Sequence, residues 1–257
     1  MLGAMKHKAK NMSNLLIVAA LKDEVRPIKA EMTVDCTIHF KPATFYQGKI
    51  FNKEIGLLIT GVGVARMKKG LIQVLEQKKP TSILHVGFCG SCSPVAGLGA
   101  LILGQGVVEE KSRCHFVSET GLLEQAKKLC EEKQFSFQVG SIVTVDRIVS
   151  SPHEKADLGA VHKTMALDME AAVVAEVASQ RKIPWVVVKS ILDPVDMELP
   201  NLEDCVEPTG EARPLMVVEH LFRKPQDLMK LPNIQYCASQ ARRSLTEFME
   251  AWVQNIS

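Results

Sequence analysis

Short apolar runs alternate with helical segments along most of this chain, and this alternation limits the fold more than any other feature. Leu15–Leu21 opens the series and Trp185–Leu192 closes it, with Ser82–Val86, Ala100–Val108 and Ser141–Val145 between them. Apolar runs of this length, each followed by a helical pattern, are typical of strands in a sheet that helices cover on both faces. We therefore predict an α/β protein, a three-layer α/β/α sandwich with a central mixed sheet.

The other segments complete this alternation. The last predicted helix carries an apolar residue at every third or fourth position, which is a helical stripe. The further predicted elements are helices or turns at Asp23–Met32, Gly121–Lys133, Lys155–His162, Asp168–Gln180 and Ile234–Val253, and a hairpin of Lys49–Phe51 and Glu54–Thr60 around Asn52-Lys53.

The length of 257 residues, 46% of them hydrophobic, allows one sizeable core. Because no low-complexity linker divides the chain, we predict a single domain over residues 14–255. Residues 1–13 are polar and basic, and we predict a disordered tail there. The apolar run that follows this tail ends at Lys22, which favours a first strand over a signal peptide.

Charge and cysteine content exclude several classes of function. The 31 basic and 29 acidic residues leave a net charge of +2, which is not the footprint of a nucleic-acid-binding protein. No apolar run approaches the roughly 18 residues of a membrane span. Seven scattered cysteines do not suggest disulfides, and Cys89-Gly-Ser-Cys92 lacks the second pair that zinc needs, although a redox role remains its alternative. We expect a cytoplasmic protein without a metal.

A carboxylate follows the last apolar run. Asp193 comes after Trp185–Leu192, which is apolar apart from Lys189 and Ser190. Ligands of open α/β sheets bind beyond the carboxyl ends of the strands, and burial raises the pKa of a carboxyl group there. These properties suit a general acid near neutral pH. The alternative is an ordinary turn aspartate before Pro194.

A second carboxylate lies at the start of the helix predicted over Asp168–Gln180. Asp168 is expected to be the N-cap and Glu170 to lie in the first turn, where the helix dipole favours a negative charge. Glu170 could bind sugar hydroxyls while Asp193 protonates a leaving group, an arrangement suited to cutting an N-glycosidic bond. A first-turn glutamate also needs no function, so both interpretations stay open.

Two glycine-containing turns follow predicted strands. Gly61-Val-Gly63 opens a helix that should end near Gln77, and Gly87–Ser91 is predicted to be a loop that a ligand can approach closely. Their backbone N–H groups could bind a phosphate or a base edge. The sequence has no G-x-G-x-x-G and no Walker lysine, so it is poorly suited to NAD or ATP.

Five short motifs follow one another between about residues 14 and 200. They are Ala20-Leu-Lys-Asp-Glu-Val25, Thr60-Gly-Val-Gly63, Val86-Gly-Phe-Cys-Gly90, Ala166-Leu-Asp-Met-Glu-Ala171 and Val188-Lys-Ser-Ile-Leu-Asp193. Together they resemble the nucleoside phosphorylase/nucleosidase superfamily, which includes purine nucleoside phosphorylases and methylthioadenosine/S-adenosylhomocysteine nucleosidases. The resemblance implies an enzyme that cleaves a nucleoside, needs no cofactor and forms a homodimer or larger homo-oligomer.

The resemblance also implies roles for individual residues. Asp193 matches the acid that protonates the purine at N7, and Glu24 matches the carboxylate that positions water in the nucleosidases. Met169 and Glu170 match the pair that packs under the ribose and binds its 2′- and 3′-hydroxyls. The remaining matches are the base-pocket residues Phe88, Cys89 and Ile148, and the loop glycines Gly63 and Gly90.

A longer similarity connects this chain with the hopanoid-associated phosphorylase branch. It covers Thr144–Lys155, Asp168-Met-Glu170, Asp193–Pro200 and the tail segments 210–215 and 223–228. It implies a 5′-substituted adenosine as substrate, with an adenosylated hopane lipid as one candidate. The apolar residues between Cys205 and Leu231 would then either wall a channel for the 5′ group or simply pack on the core, with Leu215–Phe222 as a helix.

Two departures from the family pattern keep alternatives open. Leu192 stands where the nucleosidases usually have a small hydroxyl residue. Arg26 and Arg66 do not clearly match the phosphate-binding arginines of the phosphorylases, so Glu24 favours water as the nucleophile while phosphate remains a candidate co-substrate. An ordinary methylthioadenosine/S-adenosylhomocysteine or purine nucleoside enzyme, and a nucleoside-binding protein without turnover, are the other interpretations.

Overall fold

The computed structural model describes residues 15–41, 43–199 and 231–256. The predicted tail at residues 1–13 and the predicted helix at residues 215–222 lie outside this part. The strands are β1 (Leu15–Ala19), β2 (Thr33–Phe40), β3 (Ala43–Ile50), β4 (Lys53–Ile59), β5 (Ser82–Ser91), β6 (Leu101–Glu109), β7 (His115–Val117), β8 (Phe137–Thr144), β9 (Ala166–Asp168) and β10 (Trp185–Asp193). The helices are α1 (Lys22–Ala30), α2 (Val64–Gln77), α3 (Thr120–Lys133), α4 (Pro152–His162), α5 (Ala171–Gln180) and α6 (Leu231–Asn255).

The strands form one mixed sheet in the order β10-β6-β8-β9-β5-β1-β4-β3-β2, and β7 pairs with β6. Strand β10 pairs with β5 as well as with β6, so β5, β10, β6, β8 and β9 close into a ring. Parallel pairs such as β1–β5 and β10–β5 occur beside antiparallel pairs such as β10–β6. The carboxyl ends of β1, β5 and β10 therefore lie at the same edge of the sheet.

Helices cover both faces of the sheet. One apolar cluster packs α2 and α5 against the sheet through residues such as Leu71 and Val174. A second cluster packs α1, α3 and α6 against the opposite face, with Ile28, Leu129 and Phe248 among its members. The three-layer arrangement predicted from the strand–helix alternation is confirmed.

The last helix forms as its apolar stripe predicts, although it extends from Leu231 to Asn255. Cys237, Ala241, Leu245 and Trp252 along the stripe are buried. No helix in the described ranges is both long enough and apolar enough to cross a membrane.

The predicted loop at Gly87–Ser91 is wrong, because β5 continues through it to Ser91. Strand β10 pairs with this segment in parallel as far as Asp193 opposite Gly90, so its backbone groups stay within the sheet. A side chain at Gly90 would place a Cβ 2.9 Å from Asp193 Oδ2, closer than carbon and oxygen normally approach. The glycine therefore allows a carboxylate, rather than a loop, to lie against the strand.

The predicted start of the Asp168–Gln180 helix is also wrong. Asp168 ends β9, which pairs with β5 and β8, and the helix α5 begins only at Ala171. Glu170 is the N-cap residue rather than a residue of the first turn. The tertiary pairing of a three-residue strand overrides a local sequence that favours a helix.

The region between residues 33 and 52 differs from the prediction as well. The β2–β3 hairpin was missed because β2 is an edge strand whose side chains are mostly exposed, so it shows no buried face. The β3–β4 hairpin is confirmed, but its turn lies one residue earlier than predicted. Phe51 and Asn52 both adopt positive φ, 48° and 63°, as a two-residue hairpin turn requires.

Candidate active site

Four buried charged side chains from distant parts of the chain meet at the carboxyl ends of β1, β5 and β10. We refer to Glu24, Asp168, Glu170 and Lys189 as the carboxylate cluster. Each is at most 6% exposed, and the three carboxylates all act electrostatically on Lys189. Three acidic groups thus share one lysine inside the protein.

Glu24 is held by backbone N–H groups from the link between β1 and α1 and from β5. Ala20 N and Leu21 N donate to Oε2 at 3.0 and 2.8 Å, and Phe88 N donates to Oε1 at 3.0 Å. A Cβ added at Gly87 would lie 2.7 Å from Glu24 Oε1 and 3.1 Å from Lys189 Nζ, so only glycine leaves room for both groups. Burial raises the pKa of Glu24, and Lys189 and the N–H groups oppose this effect.

Lys189 and Asp168 form a buried ion pair in the centre of the cluster. Lys189 Nζ lies 2.9 Å from Asp168 Oδ2. Asp168 also accepts hydrogen bonds from Thr144 Oγ1 at 2.7 Å and from Ala171 N at 2.9 Å. Burial favours the neutral acid, but Lys189 and the neighbouring His85 outweigh burial and hold the pKa of Asp168 well below its usual range. Asp168 is therefore ionised and fixes the start of α5.

Glu170 connects the starts of two helices. Its Oε1 accepts a hydrogen bond from Gly63 N at 2.7 Å. Gly63 is the N-cap of α2 and has a φ of 99°, a conformation that favours glycine. Burial and the nearby Asp168 and Glu24 raise the pKa of Glu170 to about 8, against the opposing effects of Lys189 and the Gly63 N–H. Near neutral pH this carboxyl group can therefore exchange its proton.

Asp193 lies apart from the cluster, in a second buried ion pair. Its Oδ2 is 2.6 Å from Lys155 Nζ on α4, and Lys155 is fully buried. A bulge interrupts the β10–β5 ladder between Ile191 and Asp193, with Leu192 as the extra residue. The bulge shifts Asp193 out of the alternation that begins at Lys189, so the two residues do not share one face of the strand. Burial raises the pKa of Asp193, and Lys155 opposes this effect.

The other residues predicted for the site lie around these two groups. Met169 is half-buried in the link between β9 and α5, and Phe88 is half-buried on β5. Cys89 packs in the apolar cluster under α2 and α5, and burial raises the pKa of its thiol well above the usual value. Ile148 lies in the β8–α4 loop and is 37% exposed.

Sequence reasoning did not assign a role to Asp168, Lys189 or Lys155. Lys189 had a signal, because it is the one charged residue within an apolar strand before Asp193. Asp168 was predicted only as a helix cap. Lys155 had no signal, since α4 alternates polar and small residues without a clear apolar face, and its burial follows only from the packing of the helix.

A cavity of about 270 Å³ opens beside the carboxylate cluster, between α2, α5 and the β6–β7 turn. Val64 and Thr144 line it, but the carboxylates of Glu24, Glu170 and Asp193 do not. We therefore place the candidate site at the carboxylates rather than in this cavity. Within residues 15–41, 43–199 and 231–256, no group of three His, Cys, Asp or Glu side chains could hold a metal ion.

The sequence model of the phosphorylase superfamily matches residues 14–223, which is most of the chain. This protein belongs to the phosphorylase superfamily. The resemblance inferred from the five motifs is therefore confirmed at this level.

Similar members of the superfamily include two nucleosidases. The 5′-methylthioadenosine/S-adenosylhomocysteine nucleosidase of a Marinomonas species is 26% identical over 82% of this chain and 99% of its own length. The enzyme of the same description from Haemophilus influenzae is 26% identical over 69% of this chain and 84% of its own.

Two solved structures share the fold of this chain. Futalosine hydrolase of Helicobacter pylori superimposes with a TM-score of 0.75 at 19% identity, over 95% of this chain and 99% of that chain. The 5′-methylthioadenosine/S-adenosylhomocysteine nucleosidase of Neisseria meningitidis, in complex with methylthio-immucillin-A, gives a TM-score of 0.71 at 17% identity, over 93% and 99% of the two chains.

Arg26 and Arg66 were the candidate phosphate ligands, and neither belongs to the carboxylate cluster. Arg26 lies on the outer side of α1 with 70% of its side chain exposed, and pairs with Asp23 at 3.9 Å. Arg66 lies half-buried in the first turn of α2. The cation within the cluster is Lys189, and its shortest contact is with Asp168.

Proposed function

We propose that this protein is a nucleosidase that hydrolyses the N-glycosidic bond of a 5′-substituted adenosine and releases adenine. The observation that carries the proposal is that β10 connects two groups of buried acids. Asp193 lies at the end of the strand beside one lysine, and the carboxylate cluster surrounds Lys189 on the other side of the bulge. Breaking a glycosidic bond leaves positive charge on the ribose and negative charge on the departing base. The carboxylate cluster suits the ribose, and Asp193 suits the base.

Asp193 is the proposed general acid. As the C1′–N9 bond breaks, its electron pair moves into the purine, and a proton from Asp193 to N7 neutralises the leaving base. Burial raises the pKa of Asp193, which keeps a proton available closer to neutral pH than in an exposed aspartate. General acid catalysis of this kind typically contributes about 10²–10⁴-fold to a rate.

Glu170 is the proposed ligand of the ribose 2′- and 3′-hydroxyls, with Met169 packing under the sugar. In its ionised form Glu170 would also place negative charge near the oxocarbenium-like ribose of the transition state. Phe88, Cys89, Gly90 and Ile148 are proposed to border the base, and Gly63 to border the ribose and the nucleophile. The hydrogen bond from Gly63 N to Glu170 at 2.7 Å supports a shared position for these two.

Water bound by Glu24 is the proposed nucleophile. Lys189 is the cation of the cluster, and it is already paired with the ionised Asp168 at 2.9 Å, so it is not free to bind a phosphate dianion. A neutral water molecule needs no such cation, and a carboxylate can accept its proton as it attacks C1′. The two relatives described above are named as nucleosidases, and futalosine hydrolase as a hydrolase, which supports water over phosphate.

The 5′ substituent is proposed to be large and apolar, with an adenosylated hopane lipid as the leading candidate. This part rests on the sequence similarity to the hopanoid-associated branch over Thr144–Lys155 and Asp193–Pro200. Each methylene of the substituent that is buried would add about 0.8 kcal/mol. We also propose that the protein acts in the cytoplasm as a homodimer or larger assembly.

One assay tests the reaction and the nucleophile together. The protein is incubated with 5′-methylthioadenosine, with adenosine and with adenosines of increasing apolar 5′ group, with and without phosphate. We expect free adenine and a free 5′-substituted ribose in phosphate-free buffer, and an efficiency that rises with the size of the 5′ group. Glu24→Gln should lose most of this turnover.

Three other outcomes would each correct part of the proposal. A strict need for phosphate, with a ribose 1-phosphate product, would replace hydrolysis by phosphorolysis. A preference for methylthioadenosine or adenosine would leave an enzyme of small nucleosides. Tight nucleoside binding without any product would indicate a binding protein.

A further inference from the structure

Lys155 is a buried lysine next to Asp193, and the proposed reaction assigns it no role. Its side chain is fully buried, and it reaches three acceptors from α4. Nζ lies 2.6 Å from Asp193 Oδ2, 2.7 Å from the carbonyl oxygen of Met197 and 3.2 Å from that of Pro194. An ammonium group has three N–H donors, so each donor has one acceptor.

This geometry links the acid to the segment that follows it. Pro194 follows Asp193 directly and Met197 lies four residues after it. A hydrogen bond from Leu199 N to Ser150 O at 3.1 Å connects the same segment to the residues before α4. Gly90 also lies against the Asp193 carboxyl group, where a Cβ would come within 2.9 Å of Oδ2. The carboxyl group is therefore held from several sides, with Oδ2 committed to the ammonium.

Among the described residues, the titratable groups of other elements that interact electrostatically with Asp193 include three thiols. They are Cys89 near the end of β5, Cys92 just after β5, and Cys237 on α6. Burial raises the pKa of Cys92 to about 12 and raises that of the other two thiols as well, so these neighbours are uncharged near neutral pH. Within the described part of the chain, Lys155 is the charged group that forms an ion pair with the acid.

We propose that Lys155 is a positioning residue for proton donation by Asp193. The ammonium holds Oδ2, which leaves Oδ1 as the oxygen that carries the proton to N7 of the departing base. When that proton has moved, the new carboxylate of Asp193 forms a charged pair with Lys155, and both residues are buried. Such a pair is far more favourable than a lone buried carboxylate. The lysine therefore stabilises the carboxylate that Asp193 becomes when it has given up its proton.

This inference rests on the proposed nucleosidase reaction and predicts a specific pattern of losses. Lys155→Met should lower turnover on a 5′-substituted adenosine at least about 10-fold, a part of the 10²–10⁴-fold that proton donation supplies, with little change in KM. A 4-nitrophenyl β-riboside that carries the same 5′ group needs no proton on its leaving group. The rate of its cleavage should fall by less than about 3-fold in Lys155→Met and in Asp193→Asn. The nitrophenolate leaves without being protonated, so neither residue assists its departure.

The pH profile gives a second readout that a purely structural lysine would not move. The reaction needs the protonated form of Asp193, so activity falls as the pH rises through the pKa of this group. Without the ammonium the carboxylate is less stable and Asp193 keeps its proton to higher pH. The alkaline limb of kcat/KM for the adenosine substrate should therefore move to higher pH in Lys155→Met.

Controls separate these effects from damage to the fold. Lys128→Met removes an exposed lysine of α3 that pairs with Glu132, and should change neither turnover nor the pH profile. Circular dichroism reports whether Lys155→Met folds. If it does not, Lys155→Gln keeps a hydrogen-bond donor without the charge and should show the same two changes.

Several outcomes would overturn the inference. They are equal losses on both substrates, an unchanged alkaline limb, or losses that multiply when Lys155→Met is combined with Asp193→Asn. If the wild type does not cleave the aryl riboside, the shift of the alkaline limb of kcat/KM in Lys155→Met alone tests the inference. A wild type that releases no adenine refutes the proposed function itself, whereas an active wild type with an indifferent Lys155 refutes only the role of the lysine.

Discussion

Lys189 Nζ and Asp168 Oδ2 lie 2.9 Å apart, and both side chains are only 1% exposed. The pair joins the last strand of the sheet to the short strand that precedes α5. Because Lys189 neutralises Asp168, and Asp168 is further engaged with Thr144 and Ala171, this carboxylate is structural. Glu24 and Glu170 are the two acids of the cluster to which the proposed reaction assigns a role.

Replacing Lys189 should therefore destabilise the protein strongly. Lys189→Met leaves Asp168, Glu24 and Glu170 buried without a cation, and breaking a buried pair typically costs about 3–5 kcal/mol. Unfolding in denaturant measures the free energy of unfolding directly. Lys128→Met, at an exposed position, should change it by less than about 0.5 kcal/mol. A similar small effect for both variants would contradict a central role for the pair.

Glu170 should make folding stability depend on pH. Its pKa rises from the usual 4.5 to about 8 in the folded protein. As pH increases through this window the unfolded chain loses the proton while the folded protein retains it, so stability falls and the full penalty is present above about pH 8. Glu170→Gln removes the titration and should raise Tm more at about pH 8.5 than at about pH 4.5. Thermal melts at the two pH values check this, and equal shifts would refute it.

The same residue should discriminate between sugars. A carboxylate that accepts hydrogen bonds from both ribose hydroxyls is left partly unpaired when a 2′-deoxynucleoside binds. We expect Glu170→Gln to weaken ribonucleosides by about 10-fold or more and 2′-deoxynucleosides by less. Binding constants for matched ribo and deoxy ligands test this. Equal losses for both ligands would mean that Glu170 serves only as the N-cap of α5.

Loss of the acid should affect turnover rather than binding. Asp193→Asn keeps the shape of the side chain but cannot donate a carboxylic proton, so turnover should fall by at least about 10²-fold. Nucleoside binding, measured by calorimetry, should remain close to that of the wild type. A variant that turns over like the wild type would remove Asp193 from the mechanism.

The sequence was sufficient to predict the three layers of the fold, because the strands and helices of each layer have a local pattern of apolar residues. The apolar run Leu15–Leu21 and the stripe along the last helix can be read without knowledge of any other part of the chain. The edge strand β2 could not be read in this way, since most of its side chains face solvent. The position of Asp193 at the end of a strand also followed from a local pattern, whereas that of Glu170 did not, because β9 delays the start of α5.

The tertiary structure decided which of these acids act together. The sequence placed Lys189 and Asp193 four residues apart in an apparently regular strand, and only the bulge at Leu192 separates them into two sites. It gave no sign that Lys155, 38 residues before Asp193 in the chain, lies 2.6 Å from that acid. Contacts of this kind depend on how a closed ring of strands brings distant segments together, and no local pattern encodes them. A sequence can thus indicate candidate groups for chemistry, whereas packing sets their partners and hence their charges.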